Sequence, residues 1–297
     1  MKDTFFFVKL LFMEIKKASV LGFCFGVRRA VEIAEQALEN TDNKKVYSLG
    51  PLIHNETVLK KLNSKGLEIL DENKINDIEE KSVVIIRAHG VSPEVINKLR
   101  SKDCTVIDAT CPRVKASQKM VQQYTSNNDY VILTGDRNHG EVIGIAGYAG
   151  KNFIQIQDKS EAEKIQIENS EKININLLSQ TTYSMTEFEQ IRNIITAKFK
   201  NVNVMNTICP ATKERQDALL DLCNEVDGII VIGGKNSANT KRLYQRAMEN
   251  CRKSVHIESA EEIPEDFYLL RKVGITAGAS TPDEIIDDVC KSLLNPS

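Results

Sequence analysis

Residues 104–124, CTVIDATCPRVKASQKMVQQY, run from a short β-branched stretch into Cys111 and Pro112 and then into a helical pattern. The same order of strand, cysteine and helix recurs in KKASVLGFCFGVRRAVEIAEQAL at 16–38 and in VNVMNTICPATKERQDALLDLC at 202–223. Proline favours the first helical position, because its missing amide hydrogen would have no partner there. Cys111 and Cys209, each followed by proline, are therefore predicted at helix N-caps, and Cys24 close to one. Exposed amides and the helix dipole stabilise a thiolate at that end.

Between these repeats, short apolar runs alternate with longer amphipathic stretches, which is typical of an α/β fold. Six more strands are predicted at 45–49, 82–86, 130–133, 175–178, 228–232 and 273–276. We expect three related, pseudo-symmetric α/β lobes at 13–111, 112–208 and 209–297, with the first strand a candidate to pack on the third lobe. Ligand sites of parallel sheets lie at the carboxyl ends of the strands, so each lobe should supply one cysteine and two loops to a common centre. Residues 1–12 are interpreted as an N-terminal extension outside the fold.

The composition narrows the class of protein. With 39 Lys and Arg against 41 Asp and Glu among 297 residues, the chain lacks the basic stripe that nucleic-acid binding needs. Its apolar opening is interrupted by Lys9 and is too short to span a bilayer, so we expect neither a signal peptide nor a membrane segment. Seven cysteines without a secretory signal indicate a reducing cytoplasm, where thiols stay free for metal or redox chemistry.

Three matching cysteines favour an iron-sulfur cluster over zinc. Structural zinc sites usually have four ligands, often in close pairs such as C-x-x-C, and the sequence has no such pair. A four-iron cluster with three cysteine ligands leaves one iron open to substrate. Four cysteines lack the repeated context and are interpreted as small buried hydrophobic residues: Cys104, Cys223, Cys251 and Cys290.

Each of the six further strands runs into a polar loop. The loops span 51–55, 87–91, 138–142, 180–182, 235–240 and 276–282 and contain three of the four histidines. Singly, such residues are more often turn, cap or structural residues, and His256 is interpreted in that way. Together, histidines, hydroxyls and glycine-turn amides form a good cradle for a diphosphate. Glu141 is the only acidic residue in these loops and is predicted to deliver a proton, with a helix first-turn role as the alternative.

Five ordered motifs carry a family resemblance: GFCFGV at 22–27, RAHG at 87–90, DATCP at 108–112, HGE at 139–141 and TAGAS at 276–280. From about Met13 onward the chain resembles the 4-hydroxy-3-methylbut-2-enyl diphosphate reductases. The resemblance implies a trefoil of three lobes around a central [4Fe-4S] cluster held by Cys24, Cys111 and Cys209. It also implies substrate-binding residues, namely His54, His89, His139, Ser237, Asn239 and Ser280. Glu141, Thr181 and His139 match catalytic positions, whereas Ala238 stands where many members have a second serine.

The implied reaction is the last step of the non-mevalonate isoprenoid pathway. A small allylic diphosphate would be reductively dehydrated to isopentenyl and dimethylallyl diphosphate, with electrons from a ferredoxin or a flavodoxin. Two rival classes stay open at this point. A redox-neutral cluster dehydratase would need no electron donor, and a cluster-based sensor would need a nucleic-acid or partner surface.

Overall fold

The computed structural model describes residues 13–41 and 44–295, which form twelve strands in three sheets. In chain order the strands are β1 (Glu14–Lys17), β2 (Val46–Leu49), β3 (Leu67–Leu70), β4 (Val83–Ile86), β5 (Thr105–Asp108), β6 (Tyr130–Thr134), β7 (Phe153–Ile156), β8 (Ile175–Ser179), β9 (Val202–Val204), β10 (Gly228–Ile232), β11 (Ser254–Ile257) and β12 (Lys272–Ala277). The prediction of three related α/β lobes is confirmed, because each lobe has its own four-stranded sheet.

The three sheets share one plan. Their spatial orders are β11-β10-β12-β1, β3-β2-β4-β5 and β7-β6-β8-β9, and every neighbouring pair is parallel. The two central strands of each sheet end in register. The last paired residues are Leu49 with Ile86, Thr134 with Ser179, and Ile232 with Ala277. The loops that follow the central strands therefore leave each sheet at the same level, which is where parallel sheets place their ligand sites.

Helices connect the strands, as parallel pairing requires. They are α1 (Phe25–Glu39), α2 (Glu56–Ser64), α3 (Pro93–Arg100), α4 (Pro112–Ser126), α5 (Gly140–Ala146), α6 (Lys159–Lys164), α7 (Met185–Lys198), α8 (Pro210–Cys223), α9 (Ala238–Asn250) and α10 (Asp283–Leu294). Proline begins α3, α4 and α8, and side-chain caps begin several others, as Ser184 does for α7. No helix within the described ranges is long and apolar enough to cross a membrane.

The chain divides into two compact units. The first contains the described residues up to Arg28, then Ile53–Lys61 and those from Pro210 onward, and it holds the sheet with β1, β10, β11 and β12. The second contains Arg29–Leu52 and Leu62–Cys209 and holds the other two sheets. The predicted lobe boundaries near residues 111 and 208 stay predictions. The predicted extension at 1–12 lies outside the described residues.

Both faces of the sheets are covered by apolar side chains, as β10 illustrates. Ile230 and Ile232 pack on one face, in a cluster with Val289 of α10. Ile229 and Val231 pack on the other face, in a cluster that includes residues of α8 and α9. A strand buried on both faces reads as a continuous apolar run, which explains why β10 could be predicted from sequence. Each fully buried aliphatic side chain contributes about 1.5–3 kcal/mol.

The prediction that Cys223 and Cys251 are unpaired hydrophobic residues is wrong. Their sulfur atoms are bonded at 1.98 Å, and their Cα atoms lie 5.2 Å apart. The cause is the packing of α8 against α9: Cys223 is the last residue of α8, and Cys251 directly follows α9. Cys104 and Cys290 are free, half-buried thiols packed against core clusters, as predicted. Burial raises the pKa of both thiols, which keeps them neutral.

Candidate active site

The three repeated cysteines have the same local environment. Each directly precedes a helix, and each is half-buried and outside any disulfide. Each backbone N–H donates to a carbonyl in the loop that follows the neighbouring central strand. The donor and acceptor residues are Cys24 with Ala279 (3.1 Å), Cys111 with Ala88 (2.9 Å) and Cys209 with Thr181 (2.8 Å). The repeat seen in the sequence is therefore a repeat in space, in which each lobe fixes one cysteine against one polar loop.

Glu141 and Thr181 form the most deeply buried polar pair of the second unit. The Thr181 backbone N–H donates to Oε1 of Glu141 at 2.6 Å, and the Thr181 hydroxyl donates to Oε2 at 2.8 Å. Glu141 is only 1% exposed. Burial raises the pKa of Glu141 from 4.5 to about 7, although both Thr181 hydrogen bonds act in the opposite direction. A carboxyl group with this pKa holds a proton at neutral pH and can also release it.

His139 places an N–H donor at the beginning of α5. Its Nδ1 accepts the N–H of Glu141 at 3.2 Å, so His139 is the N-cap of this helix. An accepting Nδ1 assigns the proton of a neutral ring to Nε2, which then serves as a donor. The His89 ring lies edge-on to it, with centroids 5.1 Å apart. The second unit therefore places His89 near the turn that carries His139 and Glu141.

Arg87 belongs to the same group of loops, and its sequence context predicts no role for it. Its side chain is 17% exposed and pairs with Glu72 at 3.0 Å. The guanidinium also lies against the Cα positions of two glycines: a Cβ at Gly50 would come within 2.4 Å of Nη1, and one at Gly140 within 3.1 Å of Nη2. The signal in the sequence was a charged residue directly after the buried strand β4. A fixed positive charge thus lies beside the turn that carries His139.

In the first unit, the loop before α9 is arranged to receive an anion. Ser237 is the N-cap of α9, and its Oγ accepts the Thr240 N–H at 3.3 Å. The amide nitrogen of Asn239 is buried and has no hydrogen-bond partner among the described residues. A buried donor without a partner is costly in a protein, and a bound anion would satisfy it. The dipole of a 13-residue helix favours negative charge at the same place.

Ser280 and His54 are joined directly in this unit. The Ser280 hydroxyl donates to the His54 backbone carbonyl at 3.0 Å. This contact connects the loop after β12 to the segment before α2. In all, the first unit contains Cys24, His54, Ser237, Asn239 and Ser280, and the second contains Cys111, Cys209, His89, His139, Glu141 and Thr181.

Comparison with known proteins shows the family of the chain. A family model described as LytB protein matches residues 15–294. The chain belongs to the LytB family. LytB-family relatives named 4-hydroxy-3-methylbut-2-enyl diphosphate reductase include one from Treponema denticola, 47% identical over 95% of this chain and 99% of its own length. Another, from Aquifex aeolicus, is 43% identical over 93% of this chain and 94% of its own length.

Two solved structures of LytB-family reductases have the same fold. The E-1-hydroxy-2-methyl-but-2-enyl-4-diphosphate reductase from Plasmodium falciparum superposes with a TM-score of 0.88, at 29% identity over 96% of this chain and 89% of that one. A second structure is described as (E)-4-hydroxy-3-methyl-but-2-enyl diphosphate reductase, the terminal enzyme of the non-mevalonate pathway. It covers 96% of this chain and all of its own, with 41% identity and a TM-score of 0.72. The resemblance found in the sequence motifs is confirmed.

Proposed function

We propose that this LytB-family chain reduces 4-hydroxy-3-methylbut-2-enyl diphosphate to isopentenyl and dimethylallyl diphosphate, the last step of the non-mevalonate isoprenoid pathway. One observation carries the proposal: Thr181 joins the proton-holding acid to a predicted cluster ligand. Its N–H and hydroxyl donate to Glu141, and its carbonyl accepts the Cys209 N–H. One residue thus holds both a proton source and a predicted cluster ligand, and a reductive dehydration needs a source of protons and a source of electrons.

The cysteines suit an iron-sulfur cluster. Three cysteines outside any disulfide, in one repeated backbone setting and each directly before a helix, offer soft sulfur ligands of the kind that hold such clusters. We therefore assign a [4Fe-4S] cluster to Cys24, Cys111 and Cys209. When bound, such a cluster with one open iron supplies electrons and a Lewis acid for the substrate oxygen.

The polar loops would bind the diphosphate. Ser237 and Asn239 lie at the N-terminus of α9, where backbone amides and the helix dipole attract a phosphate. His139 supplies an Nε2–H donor, and we assign His54, His89 and Ser280 to the same substrate. Ala238 begins α9 and has no hydroxyl, so this chain has one phosphate donor fewer than relatives with serine there. Recognition would therefore rely on imidazole, hydroxyl and amide donors and on a helix dipole.

Glu141 would provide the proton for the leaving water. Removing the hydroxyl and replacing it by hydrogen consumes two electrons and two protons for each molecule of water formed. The carboxyl group holds its proton up to about pH 7, because burial raises its pKa. Thr181, hydrogen-bonded to both Glu141 oxygens, orients the carboxyl group and offers a hydroxyl through which the proton can pass. His139, the N-cap of the helix that carries Glu141, fixes the turn between them.

The electrons must come from a partner, since no residue of the chain can supply two electrons repeatedly. We propose a small one-electron carrier of the ferredoxin or flavodoxin type and the cytoplasm as the compartment. Cys223 and Cys251 form a disulfide, so the proposal of a cytoplasmic location cannot rest on all cysteines of the chain being reduced.

The test is anaerobic turnover of the allylic diphosphate with a reduced one-electron donor, comparing the parent, Glu141→Gln and Glu161→Gln. Glu161 is a matched control from the same unit, because its carboxylate pairs with Arg137 on the surface. We expect two electrons consumed per product and a loss of about 10²–10⁴-fold in kcat for Glu141→Gln, with the cluster spectrum intact and the control unchanged. Absence of turnover by a fully loaded parent would contradict the proposal, and turnover without electron consumption would indicate a dehydratase.

A further inference from the structure

Arg215 is a buried arginine that has no role in the proposed reaction. It lies on α8, the helix that begins directly after Cys209, and is 2% exposed. Its Nη1–H donates to the Ala277 carbonyl at 2.8 Å, and its Nη2–H donates to the Gly22 carbonyl at 3.0 Å. One guanidinium group thus bonds two backbone carbonyls that are far apart in sequence.

Both acceptors belong to segments that carry proposed functional residues of the first unit. Gly22 lies two residues before Cys24, and Ala277 lies at the end of β12, three residues before Ser280. The same two segments are joined a second time, because the Cys24 N–H donates to the Ala279 carbonyl at 3.1 Å. The cysteine segment and the substrate loop are therefore fixed to each other by one backbone bond and by the side chain of Arg215.

The backbone at Gly22, whose carbonyl accepts from Arg215, has a conformation that favours glycine. Its φ of +74° lies in the left-handed region, which glycine adopts without steric cost. A Cβ at this position would also lie 3.1 Å from Oδ1 of Asp283 and from Cδ1 of Ile286. A glycine is therefore required at the point where the chain turns, immediately before the cysteine, and presents its carbonyl to the guanidinium.

Arginine fits this position for a geometric reason. The guanidinium is planar and carries donors in a fixed fork, so it can bond two carbonyls at once in one arrangement. A lysine ammonium is a single point donor on a flexible stem and cannot reproduce the fork. Burying a charge is costly, and such a residue persists where its hydrogen bonds are satisfied. The Arg215 side chain therefore fixes the positions of the two carbonyls relative to each other.

We propose that Arg215 is a positioning residue that holds Cys24 and Ser280 in their working geometry by clamping the carbonyls of Gly22 and Ala277. The proposal rests on the proposed function, which assigns Cys24 to the cluster and Ser280 to the diphosphate. Arg215 would act through the two backbone segments whose carbonyls it bonds. It follows that one side chain couples retention of the cluster to affinity for the substrate.

The experiment compares the anaerobic, cluster-loaded parent with Arg215→Lys, Arg215→Gln and Leu219→Ala. Leu219 lies one turn further along α8, is fully buried in an apolar cluster, and has an apolar side chain that cannot donate to either carbonyl. Leu219→Ala therefore weakens the same helix while keeping the clamp. Two quantities are measured below the melting temperature of every variant: the rate at which a chelator removes iron and the KM for the diphosphate. The melting temperature of each variant is measured separately.

We expect both Arg215 variants to release iron faster and to show a higher KM, each by about 10-fold or more, the usual size of an effect transmitted through a ligand's supporting contacts. Lysine should fail to rescue, since it keeps the charge and loses the fork. Leu219→Ala should lower the melting temperature while leaving iron release and KM close to the parent values.

Two results overturn this inference alone, in a parent that holds its cluster and turns over. One is parent-like iron release and KM in Arg215→Lys, which would show that the fork is not needed. The other is a shift of both quantities in Leu219→Ala as large as in the Arg215 variants, which would reduce the role to general stability. A parent without cluster or turnover instead overturns the proposed function, and this inference falls with it.

Discussion

At the residue scale, Glu141 combines a functional requirement with a cost in stability. Its ordinary pKa is 4.5, whereas burial places the folded-state pKa at about 7. Between these values the unfolded chain ionises and the folded protein keeps the proton. The contribution of Glu141 to the free energy of unfolding therefore falls as the pH rises from about 4.5 to about 7, and it is constant above that range. The raised pKa that the proposed proton donor needs is therefore maintained at a cost in stability.

Glu141→Gln should remove this cost. Glutamine can still accept the Thr181 N–H and carries no charge, so we expect the variant to be more stable than the parent at pH 8 by up to about 3 kcal/mol. At pH 4.5, where Glu141 is protonated in the folded protein and only half ionised in the unfolded chain, the difference should be much smaller. Chemical unfolding of anaerobic protein at the two pH values measures it, with Glu161→Gln as the control. A stability gap that does not depend on pH would contradict the raised pKa.

Gly278 is a second residue whose identity is set by a close approach. A Cβ there would lie 2.1 Å from Oγ1 of Thr240, a fully buried side chain at the start of α9. The loops after β10 and β12, which carry Ser237 and Ser280, can meet only because Gly278 has no side chain. We expect Gly278→Ala to destabilise the protein by about 1–3 kcal/mol, the usual cost of overpacking.

The cause can be tested by combining this change with Thr240→Ala. With the hydroxyl removed, the nearest atom of residue 240 is its own Cβ, 3.2 Å from the added methyl group. The double variant should therefore recover part of the lost stability, with an interaction energy of about 1 kcal/mol or more. Free energies of unfolding for the four proteins of this cycle measure it. Strictly additive effects would show that the clash is not the reason for glycine.

At the scale of elements, the sequence predicted the strands that run into the polar loops and the cysteines. It missed three strands that carry no candidate site residue. The six strands ending in polar loops were found, because continuous apolar runs indicate buried strands. The short strands before the cysteines were found through their repeat. The missed strands are β3, β7 and β11, which form the far edge of each sheet. They have only four residues and are partly exposed, as Glu68 of β3 shows, so no periodic apolar signal marks them.

Side-chain contacts were less predictable than elements. The sequence indicated which loops carry chemistry, but Arg87 and Arg215 were not assigned, because nothing local shows that an arginine will be buried against backbone carbonyls or glycines from other segments. The Cys223–Cys251 bond was missed for the same reason, since it depends on how α8 packs against α9. Local pattern determines elements, whereas tertiary packing determines these contacts.

The disulfide leads to a prediction about these two helices. It closes a loop with a sequence separation of 28 and should stabilise the folded protein by about 3 kcal/mol, chiefly by restricting the unfolded chain. Cys223→Ala combined with Cys251→Ala should lose that amount and become insensitive to a thiol reductant. Thermal unfolding with and without reductant measures this, and iron content serves as the control. A parent whose melting temperature ignores the reductant would contradict the prediction.

At the scale of the whole molecule, the same construction occurs three times. In every lobe a cysteine follows an edge strand, begins a helix and donates its N–H to the loop after the adjacent central strand. The polar loops then differ between lobes, supplying an acid and histidines in one unit and a helix N-terminus with serines in the other. In the proposed function, the repeat would hold the cluster, and the loops that differ between lobes would bind and protonate the substrate, so that a single scaffold separates the two tasks.

This repeat predicts that the three cysteines are equivalent as ligands. We expect Cys24→Ser, Cys111→Ser and Cys209→Ser each to reduce the iron and acid-labile sulfide retained after anaerobic reconstitution, by about 10-fold or more, because removing a ligand should cost at least as much as removing its supporting contacts. Cys104→Ser and Cys290→Ser are the matched controls, since both thiols are free and half-buried in apolar clusters. These two variants should keep the parent's cluster content. A cluster that survives loss of any one repeated cysteine, or that disappears with Cys104 or Cys290, would show that a threefold backbone repeat does not make a threefold ligand set.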